Sequence, residues 1–226
     1  MSAPYNAAVS TRTTDYRDAI EHIPIGATLV FRDVGWDEYE RLLDDVRDRP
    51  GLRITYDEGR LEIMSPLPEH EEYKDFILRA AHVLSEVRGI PIETRGSATW
   101  KRRGFRKGTE PDTCFYVAAA PRIIGKRTLD LDIDPPPDIV VEIDVTNESL
   151  SKFPIYAALG VPEIWRYDGK SVLFYARSAD GYHAIAESRF LPGLTPALLA
   201  EALEQSKTAG QTAALAAFRE KLRTGA

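Results

Sequence analysis

One cysteine, Cys114, stands in the 226 residues, so neither an internal disulfide nor a cysteine-built zinc cage can form within the chain. That suits a reducing cytoplasm, which is the expected location. No run of about 18 apolar residues is present, so hydropathy gives no membrane span. Residues 1–14 lack the basic-then-apolar order of a secretory leader. Positive charge is in deficit, with 29 Lys and Arg against 35 Asp and Glu and a formal net charge of -6. This argues against wholesale coating of nucleic acid and leaves room for a local basic patch. The phosphate loop Gly-x-x-x-x-Gly-Lys-[Ser/Thr], the Gly-x-Ser-x-Gly elbow and the His-Glu-x-x-His pair are also missing. No internal repeat or low-complexity segment interrupts the chain.

What is present is the composition of a globular domain, 43% hydrophobic and 28% charged, long enough to bury a substantial core. The division expected is a loosely held lead-in over 1–22, an α/β domain over 23–193 and a helical extension over 194–226, packed on the core or on a partner. Trp36, Tyr39, Leu42, Leu43 and Val46 recur at helical spacing, and Pro50-Gly51 stops that helix. Residues 52–56 and 61–64 read as a hairpin turning at Gly59. A long helix is predicted over 69–88, ended by Gly89. Residues 90–100 look extended, 101–108 a basic loop, 112–118 a strand, and 121–137 a connecting excursion. The strand 139–145 is central, a helix over 151–159 follows it, and 162–167 with 171–176 form a hairpin on Asp168-Gly169. A weaker strand covers 182–187, and two helices cover 195–205 and 211–222. This order implies a mixed sheet flanked by helices.

The strand 139–145 carries a conflict. Alternation places Val140, Glu142 and Asp144 on one face and Ile139, Val141, Ile143 and Val145 on the other. Buried carboxylates cost several kcal/mol unless paired, hydrogen-bonded or metal-bound, so Glu142 and Asp144 need a compensating partner. Asp112, entering the neighbouring strand through Pro111, adds a third acid. Such a cluster offers hard oxygen ligands for Mg²⁺ or Mn²⁺ and suits phosphodiester hydrolysis. Lys152, at the head of the next helix, can orient a water or neutralise a phosphate. The plainer alternative is that Asp112 caps a turn and Glu142 pairs with a nearby Lys or Arg.

Glu62 faces away from Leu61 and Ile63, as a metal neighbour or as the solvent side of its hairpin. His70 begins the long helix, as a catalytic or ligating imidazole or as a surface or capping residue. Lys101, Arg102, Arg103, Arg106 and Lys107 put five positive charges in seven residues beside Phe105. Either they contact nucleic-acid phosphates while Phe105 stacks on a base, or they form a solvated tip. Cys114 shares a face with Asp112 and reads as a small core residue.

Three stretches carry a family likeness: Glu110-Pro111-Asp112, then Asp138-Ile-Val-Val-Glu142-Ile-Asp144, then Lys152-Phe-Pro-Ile-Tyr156-Ala-Ala-Leu-Gly160-Val-Pro-Glu-Ile-Trp165-Arg. Together they resemble the Uma-two family of restriction endonuclease domains, a branch of the PD-(D/E)XK nuclease superfamily. The likeness runs from about residue 36 through the C-terminal helices and includes Gly59-Arg-Leu-Glu62-Ile-Met-Ser-Pro66 and His70. It implies a restriction-endonuclease-like α/β fold with Asp112 and Glu142 as metal ligands. The superfamily's lysine two residues after the second acid is replaced here by Asp144, and the family supplies it from the following helix, where Lys152 matches. The function expected is a Mg²⁺-dependent endonuclease on DNA, with Mn²⁺ able to replace Mg²⁺. In it Asp144 and Glu62 assist the metal, Lys152 positions the water and His70 joins the catalytic set. The alternative is a nuclease-fold module that binds nucleic acid or protein without cutting. DNA is the expected partner, no membrane is involved, and a homodimer is left open.

Overall fold

The computed structural model describes residues 16–47, 51–145 and 151–224. Residues 1–15 of the expected lead-in and Pro50 of the expected helix stop lie outside the described residues. Part of the lead-in is a helix, α1 (Tyr16–Glu21), followed by β1 (Thr28–Phe31) and α2 (Trp36–Asp45). The expected hairpin is β2 (Arg53–Asp57) with β3 (Arg60–Met64). Asp57 pairs with Arg60, and both residues between them take positive φ, 48° at Glu58 and 106° at Gly59. That handedness is what a two-residue hairpin turn requires. The long helix is α3 (Pro68–Arg88), closed by Gly89 at φ 65°, and β4 (Glu93–Thr94) follows it.

The segment expected as a basic loop is itself a hairpin: β5 (Trp100–Arg102), a single 3₁₀ turn (Arg103–Phe105) and β6 (Lys107–Thr109). It joins β1, β2 and β3 in an antiparallel five-stranded sheet of order β1-β3-β2-β6-β5. The apolar stripe of α2 covers this sheet, and Trp36, Tyr39 and Leu42 join Ile20, Ile54, Tyr56, Leu61 and Ile63 in one core.

The remaining elements are β7 (Thr113–Tyr116), α4 (Ala120–Ile123), β8 (Ile139–Ile143), α5 (Phe153–Leu159), β9 (Glu163–Tyr167), β10 (Val172–Ser178), β11 (Gly181–Ile185), α6 (Pro196–Ala209) and α7 (Gln211–Thr224). They build a second sheet of order β11-β10-β9-β8-β7-β4, parallel between β8 and β9 across the α5 crossover and antiparallel elsewhere. The architecture is mixed α/β, with two sheets rather than one, because the strands around the 53–64 hairpin close a core of their own.

β8 is buried along its whole length, as an apolar strand covered on both faces must be. Ile139, Val141 and Ile143 join Phe76, Leu84, Leu203 and Phe218 on one side. Val140 joins Cys114, Ile155, Tyr156 and Leu159 on the other. The C-terminal helices therefore settle on the core. Among the described residues no helix is long and apolar enough to cross a membrane.

Candidate active site

The face of β8 that carries Val140 also carries Glu142, and α5 lies over that face. The β7–β8 register ends at Thr113 opposite Val141, and the Asp112 amide donates to the Val141 carbonyl at 3.1 Å. The next residues on the two strands are Asp112 and Glu142, so the acids meet where the strands leave the sheet. Lys152, the N-cap residue just before α5, donates from Nζ to Glu142 Oε2 at 2.7 Å and to the Glu110 carbonyl at 3.3 Å. One turn later the Tyr156 hydroxyl donates to Glu142 Oε1. Both oxygens of Glu142 are thus held.

Asp112 is held as firmly, with Oδ2 accepting the Ile143 amide at 2.7 Å and Oδ1 accepting Arg53 Nε at 3.3 Å. Arg53 comes from β2 of the other sheet and also donates to Glu71 Oε1 at 2.8 Å. Between the sheets lies a cavity of about 30 Å³ lined by Thr28, Arg53, Thr55, Glu62, Met64, His70, Asp112, Glu142, Ile143, Asp144 and Lys152. That volume holds one or two waters. His70 is 3% exposed, and neither ring nitrogen has a partner among the described residues.

Burial drives the Glu142 carboxyl up to about 7; Lys152 opposes the rise, and the negative charges of Asp112 and Asp144 add to it. Burial also works against the Lys152 ammonium, but the carboxylates of Glu142 and Asp112 outweigh it and hold the lysine charged. The Tyr156 hydroxyl is raised by burial and then by the Glu142 charge, so it stays a donor. Among the described residues no group of three or more His, Cys, Asp and Glu is arranged to hold a metal alone. The donors that fit a cation are the pair Asp112 and Glu142, whose mutual repulsion a cation relieves. Two carboxylates completed by waters or substrate oxygens is the set Mg²⁺ prefers.

The sequence profile described as "Uma2: Putative restriction endonuclease" matches residues 36–209, well over half of the chain. The chain belongs to the Uma2 family. The Uma2 match runs from the start of α2 to the end of α6 and leaves α7 beyond it. The structure is also similar to a crystal structure from Anabaena variabilis ATCC 29413 described as "a putative nuclease belonging to DUF820". The identity is 16% and the TM-score 0.46, covering 68% of this chain and 92% of that one. No curated protein matches the chain.

In this Uma2 chain the expected acids Asp112, Glu142, Asp144 and Glu62, with Lys152 and His70, all line the one cavity. Asp144 accepts Arg166 Nε at 2.6 Å, and Glu62 accepts Arg60 Nε at 3.0 Å. Glu62 is buried rather than on the solvent side of its hairpin, and His70 is buried rather than a surface residue. The five cations of the basic segment do not line the cavity. Lys101 bonds Glu40 at 2.8 Å, Arg103 bonds Asp37 at 2.8 Å and also Glu40, and Lys107 pairs with Asp57 and Glu58. Arg102 donates to the Leu131 carbonyl at 2.9 Å and Arg106 to the Tyr56 hydroxyl at 3.3 Å. Instead of a free loop, the segment is a hairpin largely matched by acids of α2 and of the β2–β3 turn. Cys114 is fully buried in the core, which pushes its thiol up to about 12.

Arg53, Tyr156 and Glu110 complete the site without having been singled out by type. Tyr156 carries a signal, because it sits four residues after Lys152 and so shares its helical face. Glu110 accepts the Ile54 amide at 3.0 Å and the Thr99 hydroxyl at 2.6 Å, which ties β2 to the site. Arg53 has no local signal, since it meets Asp112 from 59 residues away.

Proposed function

We propose that this Uma2 chain is a metal-dependent endonuclease that hydrolyses DNA phosphodiester bonds, with Mg²⁺ as its cofactor and Mn²⁺ able to replace it. The observation that carries this is the 2.7 Å contact of Lys152 with Glu142 beside Asp112, which returns to the site the lysine that Asp144 displaces. Asp112 and Glu142 would hold a hard divalent cation, which when bound would supply acidification of water and compensation of phosphate charge.

The chain's own groups do the rest. Lys152 keeps its charge, orients the nucleophilic water and offsets negative charge as it develops on the phosphate. Tyr156 and Lys152 fix one Glu142 oxygen each, while the Ile143 amide and Arg53 fix those of Asp112. The site is therefore preorganised and loses little to reorganisation during reaction. His70 offers two unpartnered ring nitrogens to a water or a leaving oxygen. Asp144 and Glu62, engaged by Arg166 and Arg60, line the same cavity beside the pair that would hold the cation. Arg106, exposed at the tip of the basic hairpin, reaches for backbone phosphates. The single buried thiol favours a cytoplasmic location.

A second reading, a module that binds nucleic acid or protein without cutting, is favoured by the ion pairing of all four carboxylates that line the cavity. Supercoiled plasmid incubated with Mg²⁺ or Mn²⁺ separates the two. Nicking by the wild type that disappears in Asp112→Asn and Lys152→Met supports the nuclease. Plasmid left intact in every metal, with a gel shift still present, supports the binding module.

A further inference from the structure

Each of the four carboxylates lining the cavity is matched by a cation of the chain itself: Glu142 by Lys152, Asp112 by Arg53, Asp144 by Arg166 and Glu62 by Arg60. This is how a buried acidic site stays stable without a metal, because an uncompensated buried charge is strongly destabilising. It also means that an incoming divalent cation has a competitor already in place.

Arg53 differs from the other three in meeting its acid across the two sheets. It belongs to β2, in the sheet whose apolar core is separate from the two cores around β8, and reaches Asp112 beside β7. Its guanidinium is divided between two acids, with Nε at 3.3 Å from Asp112 and Nη2 at 2.8 Å from Glu71. The Asp112 contact is the longer one, and Glu71 is the more solvated partner, with a side chain 45% exposed against 3% for Asp112. Asp112 Oδ2 is already committed to the Ile143 amide, so Oδ1, the oxygen Arg53 covers, is the one offered to a metal. A guanidinium never loses its charge at ordinary pH. It can leave Asp112 only by moving.

We propose that Arg53 is a displaceable countercation of the metal site. It neutralises Asp112 while no divalent ion is bound and swings fully to Glu71 when one arrives. This rests on the metal-dependent reading above, and it makes Arg53 a positioning residue that acts on the metal through Asp112. The competition has a signature that ordinary destabilisation lacks, since removing the competitor tightens metal binding. Removing Glu71, the alternative seat, leaves the guanidinium on Asp112 and weakens it.

The test is calorimetric titration of Mn²⁺ into the full chain, as wild type, Arg53→Gln and Glu71→Gln, with circular dichroism melts to verify folding. The expected result is tighter binding in Arg53→Gln by on the order of 5- to 150-fold, the usual range of coupling between sites, and weaker binding in Glu71→Gln. Should Arg53→Gln not fold, Arg53→Met, which removes the charge while keeping much of the side chain's length, replaces it, and Glu71→Gln, altered at a half-exposed side chain, carries the test independently. Arg53 variants that bind no tighter than wild type, or Glu71→Gln that binds no weaker, overturn the exchange while leaving the metal site standing. Absence of Mn²⁺ binding in all proteins overturns the metal site itself and the exchange with it.

Discussion

Lys152 Nζ lies 2.7 Å from Glu142 Oε2, although ten residues separate the two in the chain. The position that would share Glu142's strand face two residues on is Asp144, and Arg166 has claimed its carboxylate. A lysine delivered by α5 instead arrives from above the strand end, with Tyr156 one turn behind it on the same helix face. Charge and donor geometry are thus supplied by a helix terminus rather than by the strand.

Lys152→Met is expected to lower plasmid cleavage by about 10²- to 10³-fold, the cost of losing one preorganised charge-stabilising donor. The fold should survive, because Glu142, pushed up to about 7, can take up a proton in place of its lost partner. Cleavage rates alongside melts check this. Cleavage at the wild-type rate would remove Lys152 from the mechanism.

Tyr156→Phe removes a fully buried hydroxyl whose acceptor is the Glu142 carboxylate. A hydrogen bond to a charged group contributes about 1.5–3 kcal/mol, so urea unfolding should show a loss of that order. A variant as stable as the wild type would mean that Lys152 alone satisfies Glu142.

Much of the site was legible because its chemistry sits on one strand and the elements next to it. Alternation along 139–145 put Glu142 opposite Ile143, Pro111 marked the entry of Asp112, and helical spacing placed Lys152 on the following helix. The elements themselves were legible wherever a period was long, as in α3, or a turn cue was strong, as at Asp168-Gly169, although the connection that forms there is four residues, 168–171, rather than the two expected. What escaped depends on distant chain. Arg53 reaches Asp112 across two separately cored sheets, and no local pattern reports such a meeting. The basic segment misled for the same reason. Its run of charge is visible in sequence, whereas its counter-ions Asp37, Glu40, Asp57 and Glu58 lie on α2 and at the β2–β3 turn, and only folding brings them together.

Glu163 gives a pH prediction away from the cavity. It is fully buried, and it accepts the Trp165 ring N–H at 2.6 Å and the Arg189 amide at 2.9 Å. Burial outweighs the lowering effect of Ser188, Trp165 and Arg189 and raises its pKa above the ordinary 4.5. A folded value above the unfolded one means that folding favours the protonated form. The stability this contributes is fully present below the unfolded value and is lost as pH rises through the folded one. Urea unfolding at a series of pH values should therefore show the wild type losing stability relative to Glu163→Gln across that window. Parallel curves for the two proteins would assign the pH dependence elsewhere.

The basic hairpin separates cations that are free for phosphate from cations that are not. Lys107 is held by Asp57 and by Glu58 at 3.2 Å, with its side chain 15% exposed. Arg106 is exposed at the tip, where its side chain bonds the Tyr56 hydroxyl at 3.3 Å and among the described residues makes no ion pair. Each cation that neutralises a DNA phosphate steepens the fall of log affinity with log salt by about 0.9. Arg106→Asn should thus flatten that slope by about one contact, and Asn tolerates the positive φ of 50° found there. Lys107→Ala should leave the slope unchanged, because its charge is already spent inside the protein. Gel-shift titrations at several salt concentrations measure both. Equal slopes for wild type and Arg106→Asn would place DNA contact away from this hairpin, and the face around the cavity would then have to supply it.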